Sequence, residues 1–138
     1  MTAAPEPPAS GPRVWIVNAD HWPRAYLRAE LIERGYDAIG FETLKDALAR
    51  LVLARALRPA LLILDLDGTV VDERQRAALA AARVPILSVT GAGAAAVDAA
   101  PSGPLAATLR RPLTIGAIAD AVDRLTARAS ATSRARWT

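Results

Sequence analysis

The sequence predicts an α/β protein: a doubly wound, five-stranded parallel sheet of order 2-1-3-4-5 in a three-layer α/β/α sandwich. Short apolar, β-branched runs alternate along the chain with stretches of helical spacing, which forces parallel pairing and right-handed crossovers. Leu61–Leu64 is continuously apolar, as a strand covered by helices on both faces must be. Polar groups follow the strand runs at Asn18-Ala19-Asp20, Asp65-Leu66-Asp67, Thr90-Gly91 and Arg110-Arg111, at the carboxyl ends where open α/β sheets carry their sites.

Each element has its own signal. Residues 1–12 (MTAAPEPPASGP) are Pro- and Ala-rich with no bulky apolar side chain after Met1 and read as a flexible leader to a domain expected over 13–128. Val14–Val17 is the first strand, followed by a helix from Pro23 to Arg34 with Leu27, Leu31 and Ile32 at helical spacing and Gly35 as its stop. Tyr36–Phe41, more mixed, suits a sheet edge. Thr43 opens a helix with Leu44, Leu48, Leu51 and Val52 on one stripe. The third strand delivers Asp65. Helices are then expected over 72–82, 94–100 and 114–128, and strands over 86–89 and 105–109, with Ile118, Val122 and Leu125 as the inner stripe of the last helix. Residues 129–138 carry no periodic segment and read as a tail.

Composition excludes several classes. The 138 residues are 52% hydrophobic, enough for an ordinary core. There is no cysteine, so disulfides, thiol catalysis and cysteine-ligated zinc are excluded, and a cytoplasmic protein is the expectation. No apolar run approaches the roughly 20 residues that span a bilayer, so no membrane partner is expected. The net charge of +3 comes almost wholly from arginine, Lys45 being the only lysine. Because the arginines are scattered over predicted helices, a solvated surface is preferred over a nucleic-acid footprint. His21 is the only histidine and reads as a solvated loop residue, and Gly91-Ala92-Gly93 reads as a turn.

Over roughly Arg13 to Ala127 the order of elements resembles the receiver domain of response regulators, a flavodoxin-like fold. Pro59–Leu66 (PALLILDL) is similar to that family's third strand and puts Asp65 on its phosphoryl-accepting aspartate; Thr90, after VPILSV, matches its hydroxyl residue; Arg111-Pro112 matches its Lys-Pro pair. The resemblance implies phosphoryl transfer from a histidine kinase or phosphotransfer protein onto Asp65. Thr90 would bind a phosphoryl oxygen, and Arg111 would pair with the added charge. Magnesium would be held among Asp20, Asp65, Asp67 and Asn18, and a downstream protein, or a second copy of the chain, would read the switch. The protein would be a signalling module and not an enzyme.

The departures point elsewhere. Where receivers carry two adjacent acids after strand 1 this chain has Asn18 and Ala19, with Asp20 one position later, so magnesium binding is expected to be weakened. Arg111 replaces the lysine, and Thr108 stands where many members have an aromatic switch residue. The alternative is therefore a pseudo-receiver that signals without phosphorylation. A third reading takes Leu62–Val71 (LILDLDGTVV) as the first motif of haloacid-dehalogenase-type phosphatases, with Asp67 as general acid; against it, two strand-helix units precede the motif and no lysine follows it. The surface of the 94–100 helix, strand 5 and the last helix is the expected output face.

Overall fold

Strand side chains alternate between two faces of one sheet, and where helices cover both faces most positions are apolar. That condition selects the central strands. The computed structural model describes residues 11–91 and 105–135. Its strands are β1 (Arg13–Val17), β2 (Asp37–Phe41), β3 (Leu61–Asp65), β4 (Ile86–Thr90) and β5 (Leu105–Arg110), all parallel, in the order β2-β1-β3-β4-β5. The expected fold class and strand order are thus observed. β3 and β4 are buried along their whole length, and so is β1 after Arg13.

The helices are α1 (His21–Glu33), α2 (Leu44–Leu53), α3 (Glu73–Ala82) and α4 (Ile115–Ala135), with a single 3-10 turn at Arg55–Leu57. Val14, Ile16, Ile63, Leu87 and Val89 pack on Leu27 and Leu31 of α1 and on Ile118 and Val122 of α4. On the opposite face Trp15, Val17, Leu62, Leu64 and Ile86 pack on Leu44 and Ala47 of α2 and Leu79 of α3, with Trp15 and Phe41 in aromatic contact at 4.9 Å. No helix among the described residues is long and apolar enough to cross a membrane.

Local chemistry fixes the helix starts. The hydroxyl of Thr43 accepts from the Asp46 amide at 3.1 Å, and Asp72 and Gln75 form a reciprocal capping box at 2.7 and 3.1 Å. Thr114 accepts from the Ala117 amide at 3.0 Å in the same way. Gly35, at φ +95°, turns the chain out of α1.

Several expectations are adjusted. Ile32 is 46% exposed, because the inward direction of α1 is already set by Leu27 and Leu31 and the next residue is rotated off that face. In α2 Ala47 joins the core, whereas Val52 is 74% exposed at the margin of the stripe. α4 continues to Ala135, past Arg128, through a segment without an apolar stripe in which Ala129, Ala131 and Ala135 favour helix. The expected 94–100 helix lies outside the described residues.

A polar clamp joins the end of α1 to α4. Arg34 donates to Glu30 at 3.0 Å, Asp120 at 2.8 Å and Asp123 at 2.7 Å; the Tyr36 hydroxyl donates to Asp123 at 2.7 Å and lies 2.9 Å from the Thr126 hydroxyl. The bond from Tyr36, and then Arg34, hold the Asp123 carboxyl below its ordinary range against the opposing effect of desolvation. A depressed carboxylate pKa stabilises the fold above the unfolded-state value, and that contribution fades as pH falls through the folded-state value. Asp123→Asn should therefore cost about 0.5–1 kcal/mol near neutral pH. In urea unfolding, the gap to wild type should close as the solution is acidified through and below the carboxylate range.

Candidate functional site

β3 carries Asp65 to its carboxyl end, where it pairs with Val89 of β4; Thr90 is one residue further on and pairs with Arg110 of β5. The loops after β1, β3 and β5 therefore meet around one carboxylate. Asp65 is only 5% exposed, so both of its oxygens need donors. Oδ1 accepts from the Asp67 amide at 3.0 Å and from Arg111 Nη1 at 3.1 Å. Oδ2 accepts from Asn18 Nδ2 at 3.1 Å and, in a very short contact, from Arg111 Nη2.

Arg111 thus grips Asp65 through two nitrogens, the forked geometry for which a guanidinium is suited and an ammonium is not. Its Nη1 also donates to Asp67 Oδ2 at 2.8 Å, so one cation bridges two carboxylates. The hydrogen bonds that Arg111 donates to Asp65 raise its pKa further above its ordinary value, outweighing partial burial. Glycines make room for this arrangement. Gly68, at φ +76°, closes the turn after Asp67, and a Cβ on Gly91 would stand 2.8 Å from Asp67 Oδ1.

Asn18 supports the same carboxylate. Its Oδ1 accepts from the Asp20 amide at 2.9 Å, which leaves its NH2 to face Asp65. Sequence reasoning missed Arg24. Its Nη1 donates to the Asn18 carbonyl at 2.7 Å, and its stem lies over β2, where a Cβ on Gly40 would meet Arg24 Cγ at 2.9 Å. A glycine inside a strand was the available signal for such a close approach.

Not every expected residue joins the cluster. Thr90 is buried at the edge of the site, but its hydroxyl sits 3.5 Å from the Leu109 carbonyl, at the limit of a hydrogen bond. Asp20 stands at the N-cap of α1, its side chain making no cap bond, and is exposed. Thr108 is exposed and His21 lies 3.5 Å from Arg24 Nη2. The DLDGT segment follows the central β3, the third strand of the chain, and Asp67 is paired with Arg111.

The residues present do not fit a divalent cation. A hard metal needs converging oxygens. Asn18 turns its NH2 toward Asp65 while its oxygen is engaged by the backbone, and the Arg111 guanidinium already bridges Asp65 and Asp67. Among the described residues no group of three or more His, Cys, Asp or Glu side chains is placed to hold a metal.

No family model matches the sequence, and no curated protein matches it. Solved structures do match. A response regulator receiver protein from Burkholderia phymatum superposes with a TM-score of 0.66 at 24% identity, over 83% of this chain and 94% of that one. The fold is that of response-regulator receiver domains. A signal receiver domain from Bermanella marisrubri gives a TM-score of 0.69 at 21% identity, over 85% of this chain and 99% of that one. The N-terminal domain of a response regulator/sensory box/GGDEF protein from Carboxydothermus hydrogenoformans gives 0.70 at 17% identity, over 88% and 98%. On the receiver fold, the end of β3 is the position of Asp65, and this chain fills its surroundings with Asn18 and Arg111.

Removing either partner of the pair strands the other. Arg111→Ala should destabilise the domain by about 1–3 kcal/mol, a value reduced from that of a fully buried pair because Arg111 is one-third exposed. The double variant Arg111→Ala/Asp65→Asn should lose less stability than the sum of the two single changes. A double-mutant cycle by urea unfolding measures the coupling, and additive losses would show that the contact contributes nothing.

Proposed function

We propose that the chain is a signalling module of the receiver class that acts by contact with protein partners and does not depend on phosphorylation of Asp65. One observation carries this reading: the two-nitrogen grip of Arg111 on Asp65. A carboxylate attacks phosphorus through an oxygen lone pair, and the transferred group needs positive charge beside it. Each oxygen of Asp65 already accepts two hydrogen bonds, and the cation that would meet the phosphoryl oxygens is bound to the nucleophile itself. Within the pocket Arg111 offsets one of the two negative charges it bridges and is already engaged by both carboxylates. Arg111 then acts as a positioning residue, tying the loop after β5 to the ends of β1 and β3.

A second reading keeps Asp65 as a phosphoryl acceptor served by a histidine kinase or phosphotransfer protein. It is favoured by the placement of Asp65 and Thr90 at neighbouring strand ends with a cation beside them. It requires Arg111 to leave Asp65 and pair with the incoming group, and magnesium to bind where the donor set does not favour it.

The deciding experiment incubates the wild-type chain, Asp65→Asn and the double variant Ala19→Asp/Arg111→Lys with acetyl phosphate, with and without magnesium, and weighs the intact protein. The expected result is no adduct on the wild type and a magnesium-dependent gain of one phosphoryl group on the double variant, lost when Asp65→Asn is added. A magnesium-dependent adduct on wild-type Asp65 would establish the second reading instead. Magnesium alone should leave the wild-type unfolding midpoint unmoved while raising that of the double variant, because only a ligand of the folded state stabilises it. No release of phosphate from a generic phosphate ester is expected from any of the proteins.

A further inference from the structure

Among the described residues, a group of exposed apolar side chains lies at the end of α2 and in the turn after it. Val52 is 74% exposed, Leu53 84% and Leu57 49%. Beside them runs a groove of about 410 Å³ between the last turns of α2 and α3, with Leu48, Leu51 and Val52 on one wall and Ala78, Ala81 and Ala82 on the other. The α3 wall consists of methyl groups. Leu79 is turned into the core, so no large side chain on that wall blocks a backbone laid against it.

The rim is cationic. Arg55 and Arg58 line the groove and both are exposed. No Asp or Glu occurs from Ala47 to Leu64 or from Arg74 to Gly91, whereas Arg50, Arg55, Arg58, Arg74, Arg76 and Arg83 fall within those stretches. Arg58 also donates to the Ala82 carbonyl at the end of α3, which ties the connection before β3 to the far wall. The floor is therefore apolar and held open between two helices, and the charge around it has one sign.

We propose that this groove docks an acidic amphipathic helix of a partner protein. A strip of aliphatic side chains would enter between the two helices, with carboxylates flanking it opposite Arg55 and Arg58. A neutral apolar partner would leave the arginines without complement, and a basic one would be repelled by them. The surface is separate from the Asp65 pocket: its residues lead into the amino end of β3 through Arg58 and Pro59, whereas Asp65 is at the carboxyl end. The proposal therefore does not require any particular use of Asp65.

The test titrates the full chain with synthetic helical peptides that share one leucine stripe and carry flanking glutamates, flanking lysines, or the glutamate composition in scrambled order. Backbone amide shifts report the binding site. The glutamate peptide is expected to bind at least about tenfold more tightly than the other two, with shifts concentrated on Leu48–Arg58 and Ala78–Ala82, and to weaken as salt is added. Val52→Ser should weaken it and Arg55→Glu should reverse the preference toward the lysine peptide. Both sites are exposed, and an unchanged urea midpoint confirms that the variants fold. Equal binding of glutamate and lysine peptides, indifference to both substitutions, or no shifts would overturn the proposal. A concentration-dependent dimer abolished by Val52→Asp would assign the groove to a second copy of the chain, and a DNA oligonucleotide moving the same amides would assign it to nucleic acid; either outcome overturns it as well.

Discussion

A carboxylate buried at the end of a parallel sheet has to be neutralised by something, and the choice of that something shapes this end of the molecule. Asp65 is 5% exposed on a strand whose every other residue is apolar and buried. Left without donors, a carboxylate buried there would carry a large desolvation cost. Arg111 supplies the counter-charge from the loop after β5, Asn18 supplies a neutral donor from the loop after β1, and the backbone of Asp67 completes the set. The connections after the first, third and fifth strands are thus tied to one atom pair, although those strands are not neighbours in sequence.

How much of this could be read from residues alone depends on range. The strands and their order follow from local pattern, because a both-faces-covered strand such as Leu61–Leu64 has a signature within its own length and βα alternation then leaves few topologies. Caps at Thr43 and Asp72 are equally local. Helix faces are less so: Ile32 and Val52 are apolar and near the stripe, and only the packing of the whole layer decides that they stay outside.

The site is legible in membership and not in wiring. Asn18, Asp65, Asp67 and Arg111 were all marked by their positions at strand ends, and the structure brings them together. What could not be read is that Arg111 reaches across 46 residues of sequence to close on Asp65, or that Asn18 presents its amide hydrogens instead of its oxygen. Those choices are settled by hydrogen-bond competition in the assembled pocket: once the Asp20 amide takes the Asn18 oxygen, the NH2 has no alternative but to face the carboxylate. Thr90 stays outside the cluster, its hydroxyl 3.5 Å from the Leu109 carbonyl.

An arginine in place of a metal changes what can act on the pocket. A divalent cation is exchangeable, so a site that needs one responds to its supply and presents open coordination positions to an incoming phosphate. A side chain anchored two strands away is always present at a high effective concentration, set by its tether and not by the solution. Its charge is half that of a divalent ion, and its hydrogen bonds are directional, so it satisfies two carboxylates and offers little more. To displace it, a ligand must replace the bonds to Asp65 and Asp67 together while leaving neither carboxylate unpaired. The asymmetry favours a pocket that stays closed at the carboxyl end of the sheet.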